Sequence, residues 1–163
     1  MVFILADDLG YGDVQRLNPG RGKIATPHLD RLAAQGRTFT DAHSGSSVCT
    51  PTRYGLLTGR YAWRTRLQRG VLDGTDDPAL IAADRLTLPS FLKQHGYATA
   101  AIGKWHLGFL TERLPGSAPS PAPAAKGAKG GEFGRGGLPV GTRIVDGPTT
   151  RGFEYFWGCS NAR

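Results

Sequence analysis

The sequence predicts an α/β fold in which a mostly parallel sheet is flanked by helices, and three observations carry that expectation. An all-apolar run at residues 2–6 breaks directly into an acidic, glycine-rich turn. Residues 26–36 and 87–96 each combine a threonine cap, an early proline, an apolar face and a closing glycine. Strand-like and helix-like stretches then alternate along the chain, the pattern of helices packed on a sheet.

Taken in order, Val2, Phe3, Ile4, Leu5 and Ala6 form a short run without a polar face, as in a strand buried on both sides of a parallel sheet. Asp7-Asp8-Leu9-Gly10-Tyr11-Gly12-Asp13 follows as a turn. In residues 26–36, Thr26 is the N-cap and Pro27 takes the first helical position, where its missing N–H has no helical partner to lose. Leu29, Leu32 and Ala33 share a face, and Gly36 is the stop. Residues 38–42 alternate and predict a second strand, followed by a small-residue loop from Ser44 to Cys49. Pro51 opens a helix over 51–57 that closes at Gly59, which places Cys49 two residues before it. The arginine-rich stretch 60–84, interrupted by glycine and proline, is expected to be loop. Residues 87–96 form the next helix, and 97–103 a buried strand that ends in Lys104-Trp105-His106. Residues 115–137, with Pro-Ala-Pro and Lys-Gly repeats, can bury little surface and are expected to be a flexible insertion or linker.

The 163 residues suffice for one domain. The longest apolar run falls far short of the roughly 20 residues that a bilayer-spanning helix needs, so no membrane anchor is expected, and no signal peptide is visible before it. Two cysteines, Cys49 and Cys159, exclude a disulfide-dense scaffold, and they form no paired C-x-x-C for a structural zinc. Cys159 receives no role. The 20 Lys+Arg against 13 Asp+Glu leave a formal charge of +7 that is spread along the chain. Arg60, Arg64, Arg66 and Arg69 interleave with Tyr61 and Trp63, as in single-stranded nucleic-acid sites, but no recognised module frames them. A solvated loop near substrate is the better reading, and no nucleic-acid or membrane partner is expected.

Ligands of open α/β sheets sit beyond the carboxyl ends of the strands. Asp7 and Asp8 fall at such a place, and adjacent carboxylates offer hard oxygen ligands for Ca²⁺ or Mg²⁺ rather than zinc. Cys49 precedes a helix whose N-terminal N–H groups attract anions, and Arg53 lies one turn on. Lys104 and His106 follow a later strand. Each has a plainer alternative: a solvated turn for the aspartates, an inert thiol for Cys49, a helix ion pair for Arg53, a surface position for Lys104, packing beside Trp105 for His106. His28, His43 and His95 are taken as structural, His43 being near enough to the site to keep open.

Cys49-Thr50-Pro51-Thr52-Arg53, continued by Tyr54-Gly55-Leu56-Leu57-Thr58-Gly59-Arg60, matches a C-x-P-x-R signature, and with it the chain resembles the type I sulfatases, the formylglycine-dependent, arylsulfatase-like members of the alkaline phosphatase superfamily. Residues 2–12 are similar to that family's first strand and metal turn, Gly103-Lys104-Trp105-His106-Leu107-Gly108 to its second signature, and Gly147-Pro148 with residues 151–156 to a later loop and strand. Four patterns in the family's order make coincidence implausible. The resemblance implies an alkaline-phosphatase-like sandwich of which this chain holds the N-terminal part, over residues 1–163. It implies that Cys49 is oxidised to formylglycine by a formylglycine-generating enzyme, and that the hydrated aldehyde attacks sulfur in a sulfated small-molecule or carbohydrate substrate, then expels sulfate by collapsing back. Asp7, Asp8 and the formylglycine at position 49 would hold calcium, with magnesium as the alternative. Arg53 would stabilise the hydrated aldehyde, Lys104 would bind sulfate oxygens, and His106 would contact the nucleophile and assist deprotonation.

The family's later Asp-Asn pair and its further histidine and lysine have no counterpart before Arg163. The expectation is therefore an N-terminal fragment inactive alone, from an enzyme exported to the periplasm or beyond. The competing readings are a phosphomonoesterase or phosphodiesterase of the same superfamily, which would use Ser or Thr with zinc ions, and a non-catalytic metal-binding remnant.

Overall fold

A computed structural model of the chain describes residues 1–72, 77–112 and 142–160. The flexible insertion expected at 115–137 lies outside the described residues. Two compact units make up the chain, Met1–Ser44 and Gly45–Arg163.

The first unit is built around helix α1, Pro27–Gln35. Pro27 starts it and Gly36 follows it, as the sequence predicts. Thr26 occupies the N-cap position without capping the helix. Its hydroxyl instead accepts from the Gln15 backbone N–H at 2.9 Å and donates to Asp30 Oδ1 at 2.9 Å. Asp30 Oδ1 also accepts from the Arg16 N–H at 3.0 Å, so one threonine and one carboxylate fasten the turn at 15–17 to the helix.

Two strands expected in this unit do not form. Residues 2–6 form no regular element and no ladder among the described residues, and Val2 and Ile4 are 87% and 81% exposed. Residues 38–42 are bends and irregular chain. The physical reason is common to both: an apolar or alternating run becomes a strand only beside another strand, and every strand pair among the described residues lies between 100 and 159.

The second unit carries the alternating helices and strands. Helix α2 spans Cys49–Thr58, two residues longer at its start than Pro51 suggests. Proline fits the first turn because no helical carbonyl awaits its nitrogen there, so Pro51 does not have to be the first helical residue. Gly59, at φ 65°, ends the helix in the left-handed conformation and returns its N–H to Gly55 O at 2.8 Å. Helix α3, Leu88–Gln94, has a reciprocal cap: Thr87 Oγ1 accepts from the Ser90 N–H, and Ser90 Oγ from the Thr87 N–H.

Strand β1, Ala100–Lys104, pairs in parallel with strand β4, Tyr155–Cys159. Strands β2, Leu110–Glu112, and β3, Arg143–Asp146, add an antiparallel pair that the sequence did not signal. β1 is not fully buried as expected, since Ile102 is 75% exposed and faces its register partner Trp157, also exposed. The core lies instead beside the strand ends, where Tyr54, Ala62, Leu72, Leu80, Ile81, Trp105, Leu107 and Phe109 are buried together. Four of these, Ala62, Leu72, Leu80 and Ile81, come from the stretch expected to be loop, whose described residues form one short 3-10 turn at Ala62–Arg64 and are otherwise irregular in backbone.

One buried arginine ties that irregular chain down. Arg151 is buried, and its guanidinium donates to Ile81 O at 2.9 Å and pairs with Asp146 Oδ1 at 2.7 Å. Removing Asp146 would leave that charge unpaired in the interior, so Asp146→Ala is expected to cost about 3 kcal/mol in urea unfolding. Glycine constrains the β1–β4 ladder. Gly158 faces Gly103 in the register, and a Cβ at 158 would sit 1.8 Å from Gly103 O. Gly158→Ala is therefore expected to destabilise by at least about 2 kcal/mol. Gly55→Ala, whose Cβ meets only Arg60 O at 3.5 Å within helix α2, should stabilise by about 0.5–1 kcal/mol in the same titration.

Candidate active site

The parallel ladder does not stop where the strands do. The Trp105 N–H donates to Cys159 O at 2.9 Å and the His106 N–H to Ser160 O at 2.6 Å. Lys104, the last residue of β1, and Trp105 and His106 just after it are thereby held at the carboxyl end of the strand, where the topology of such sheets puts ligands. His106 adopts φ 56°, a left-handed conformation that costs a non-glycine residue on the order of 1–2 kcal/mol and that the surrounding bonds enforce.

Helix α2 presents its N-terminus to this point. Val48 at the N-cap position has no side-chain acceptor, so the N–H groups of Cys49 and Thr50 open the helix without a side-chain cap from that residue. Cys49 is the first helical residue, closer to the dipole's positive end than the sequence suggested. Its Sγ lies 3.0 Å from Lys104 Nζ, a contact across 55 positions of sequence. Arg53 Nη1 donates to the backbone carbonyl of Lys104, which fastens the helix to the strand end.

His106 reaches the same helix through one intermediary. Its Nε2 is 2.8 Å from Leu72 O, and the Leu72 N–H donates to Thr50 Oγ1 at 3.2 Å. A carbonyl oxygen only accepts, so Nε2 carries the proton and Nδ1 is the acceptor atom of the neutral ring. His106 and Thr50 are both buried, and the chain between them is sealed from solvent.

The structure therefore brings Cys49, Arg53 and Lys104 into direct contact and joins His106 to them by way of Leu72. Asp7 and Asp8 lie in the first unit, exposed, with Asp8 at φ 59°. Their paired carboxylates have the donor chemistry of a hard divalent cation, yet no group of three His, Cys, Asp or Glu side chains able to hold a metal occurs among the described residues. Of the histidines taken as structural, His95 packs edge-on against Phe91, and exposed His43 pairs with Asp41 at 2.6 Å. Cys159 is exposed.

Sequence reasoning passed over three residues here. Thr52 Oγ1 donates to Ser46 O at 2.8 Å or Val48 O at 2.9 Å and so pins the loop that leads into Cys49. Thr50 and Leu72 form the link to His106. Two threonines in one first helical turn were the available signal, because a hydroxyl there tends to bond to nearby backbone. Leu72 had none.

The arrangement supplies cationic and N–H donors around a nucleophile position, the requirement for an oxyanion ester. The sulfatase family model matches residues 1–161. An N-acetylgalactosamine-6-O-sulfatase of Bacteroides thetaiotaomicron is 46% identical over 66% of this chain and 20% of its own length. Arylsulfatase A of Bos taurus is 46% identical over 66% and 21%, and the steryl-sulfatase of Homo sapiens 40% identical over 66% and 19%. Among solved structures, BT33336S-sulf, from work on glycosaminoglycan metabolism by Bacteroides thetaiotaomicron, aligns with TM-score 0.69 and 36% identity over 96% of this chain and 27% of that one. Ps i-CgsB in complex with k-i-k-neocarrahexaose aligns with TM-score 0.66 and 27% identity over 96% and 27%. The chain thus spans about a fifth of the curated relatives it matches, and it shares the α/β, alkaline-phosphatase-like fold of the structural neighbours. Sulfatases as a family act on sulfated substrates and use a formylglycine and a divalent metal. With its family model matched over residues 1–161, the chain belongs to the sulfatase family.

Proposed function

We propose that the chain carries the nucleophile-bearing part of a sulfuric ester hydrolase that cleaves sulfate monoesters, with Cys49 as the precursor of formylglycine. The observation that carries this reading is the 3.0 Å contact of Lys104 Nζ with Cys49 Sγ at the first residue of a helix. Formylglycine, once formed at position 49 by a formylglycine-generating enzyme, supplies a hydrated aldehyde whose hydroxyl can attack sulfur.

The neighbouring residues have definite tasks around that position. Lys104 places its ammonium where sulfate oxygens gather charge, and the N–H groups of the first turn of α2 add to the same field. Arg53 keeps the Lys104 backbone against the helix, and its positive charge would stabilise the hydrated aldehyde at position 49. His106 keeps its Nε2 proton on Leu72 O, which leaves Nδ1 to accept a proton from the nucleophile. Asp7 and Asp8 would supply carboxylate oxygens to the divalent cation; calcium is favoured and magnesium is the alternative. A cation held there would supply Lewis-acid polarisation of the sulfate group.

Substrate is a sulfated small molecule or carbohydrate. The carbohydrate alternative draws support from the relatives, one named as an N-acetylgalactosamine-6-O-sulfatase and one solved with k-i-k-neocarrahexaose. No helix among the described residues is long and apolar enough to cross a membrane, and an exported enzyme is the family expectation. The thiol in C-x-P-x-R sets the chain apart from phosphoesterases of the superfamily, which would need Ser or Thr there.

One observation favours a narrower role for the chain by itself. Calcium takes six to eight oxygen ligands, whereas Asp7 and Asp8 are a single pair. Calorimetric titration of the isolated chain should accordingly give a dissociation constant no tighter than about 10⁻³ M, lost in Asp7→Asn/Asp8→Asn; stoichiometric micromolar binding would contradict this division.

Co-expression with a formylglycine-generating enzyme, followed by peptide mass analysis, tests the main reading. Cys49 is expected to lose its thiol mass, become reactive to hydrazide, and show neither change in Cys49→Ala. An intact thiol, under conditions that convert a control peptide, would contradict it.

A further inference from the structure

The second position of C-x-P-x-R is open in the motif, and here it is Thr50, a side chain with no accessible surface. Its Oγ1 does not serve as a helix cap. It receives the N–H of Leu72, 22 positions away, at 3.2 Å. Leu72 is held at three points: its N–H by Thr50, its buried side chain by the core, and its carbonyl by His106 Nε2 at 2.8 Å. His106 in turn is buried, sits at φ 56°, and is fixed on its backbone side by Ser160 O.

We propose that Thr50 is a positioning residue: through Leu72 it sets the orientation and the tautomer of His106, so that Nδ1 is the ring atom presented for proton transfer. The inference rests on the reading of His106 as a site residue and adds to it the cause of its orientation. An imidazole without such a partner exchanges its proton between the two nitrogens, and only one form has the lone pair at Nδ1. A carbonyl whose own residue is clamped at its N–H removes that freedom before substrate arrives, which is preorganisation of the base. It also explains why a hydroxyl-bearing β-branched residue occupies the second position of a helix, where it contributes little to helix propensity.

The test uses the full chain, uniformly labelled with ¹⁵N, and long-range ¹H–¹⁵N correlation of the imidazole rings. His106 is expected to show one tautomer, with the proton on Nε2, and the Leu72 amide to be protected from exchange. Thr50→Ser, which keeps the acceptor oxygen, should retain both signatures. Thr50→Val, which keeps the shape and loses the acceptor, should give exchange-averaged signals from both ring nitrogens and at least a tenfold loss of Leu72 protection. Thr50→Ala is read the same way should the valine variant fail to fold. A folded Thr50→Val or Thr50→Ala protein with His106 unchanged would make Thr50 merely structural and overturn the proposal. A wild-type His106 with its proton on Nδ1 would overturn it with no variant at all. None of these readings requires conversion of Cys49 or turnover of substrate, so their failure would leave the sulfate-ester reading standing, and an unconverted Cys49 would leave the tautomer result standing.

Discussion

The close passage of two glycines sets the geometry on which the site depends. Gly103 and Gly158 face each other in the parallel β1–β4 ladder at a separation that leaves no room for a Cβ at 158. The ladder's hydrogen bonds run on one and two residues past β1, so that Trp105 and His106 follow Lys104 as an extension of the sheet. Arg53 then closes the assembly from the helix side by binding the carbonyl of Lys104. Strand end and helix start are thus joined by backbone-directed bonds, and the side chains of Cys49 and Lys104 meet as a result.

What was legible in the sequence follows from what each signal measures. Helices α1 and α3 were readable because proline and glycine act locally, through missing N–H groups and permitted φ values. The start of α2 was misjudged by two residues because proline is tolerated anywhere in a first turn, and that shift moves Cys49 from a preceding loop into the helix. Residues 2–6 and 38–42 carried strand patterns without becoming strands, since a strand is a property of a pair and no ladder partner for them lies among the described residues. The buried side chains of Leu72, Leu80 and Ile81 were hidden in the opposite way, inside a stretch whose composition says loop and whose packing says core.

The site divides along the same line. Cys49, Arg53, Lys104 and His106 were identifiable by motif, and the structure gathers them in one unit. Their supports were not identifiable, because the bonds from Thr50 to Leu72 and from Leu72 to His106 span 22 and 34 positions and follow no period. The chemistry also accounts for the choice of residues. A cationic lysine and the N-terminal end of a helix suit an anionic group at position 49, while the carboxylates that would suit a hard cation belong to the first unit of the chain.

The account stands on the juxtaposition of Cys49 and Lys104, and o-phthalaldehyde measures it directly, because its fluorescent isoindole forms only where a thiol and a primary amine lie side by side. In a Cys159→Ser background, which removes the other thiol, the account predicts a single isoindole linking Cys49 to Lys104, abolished by Cys49→Ala and by Lys104→Met. Absence of the isoindole from the folded chain, or a linkage of Cys49 to Lys23 or Lys93 in its place, would contradict it.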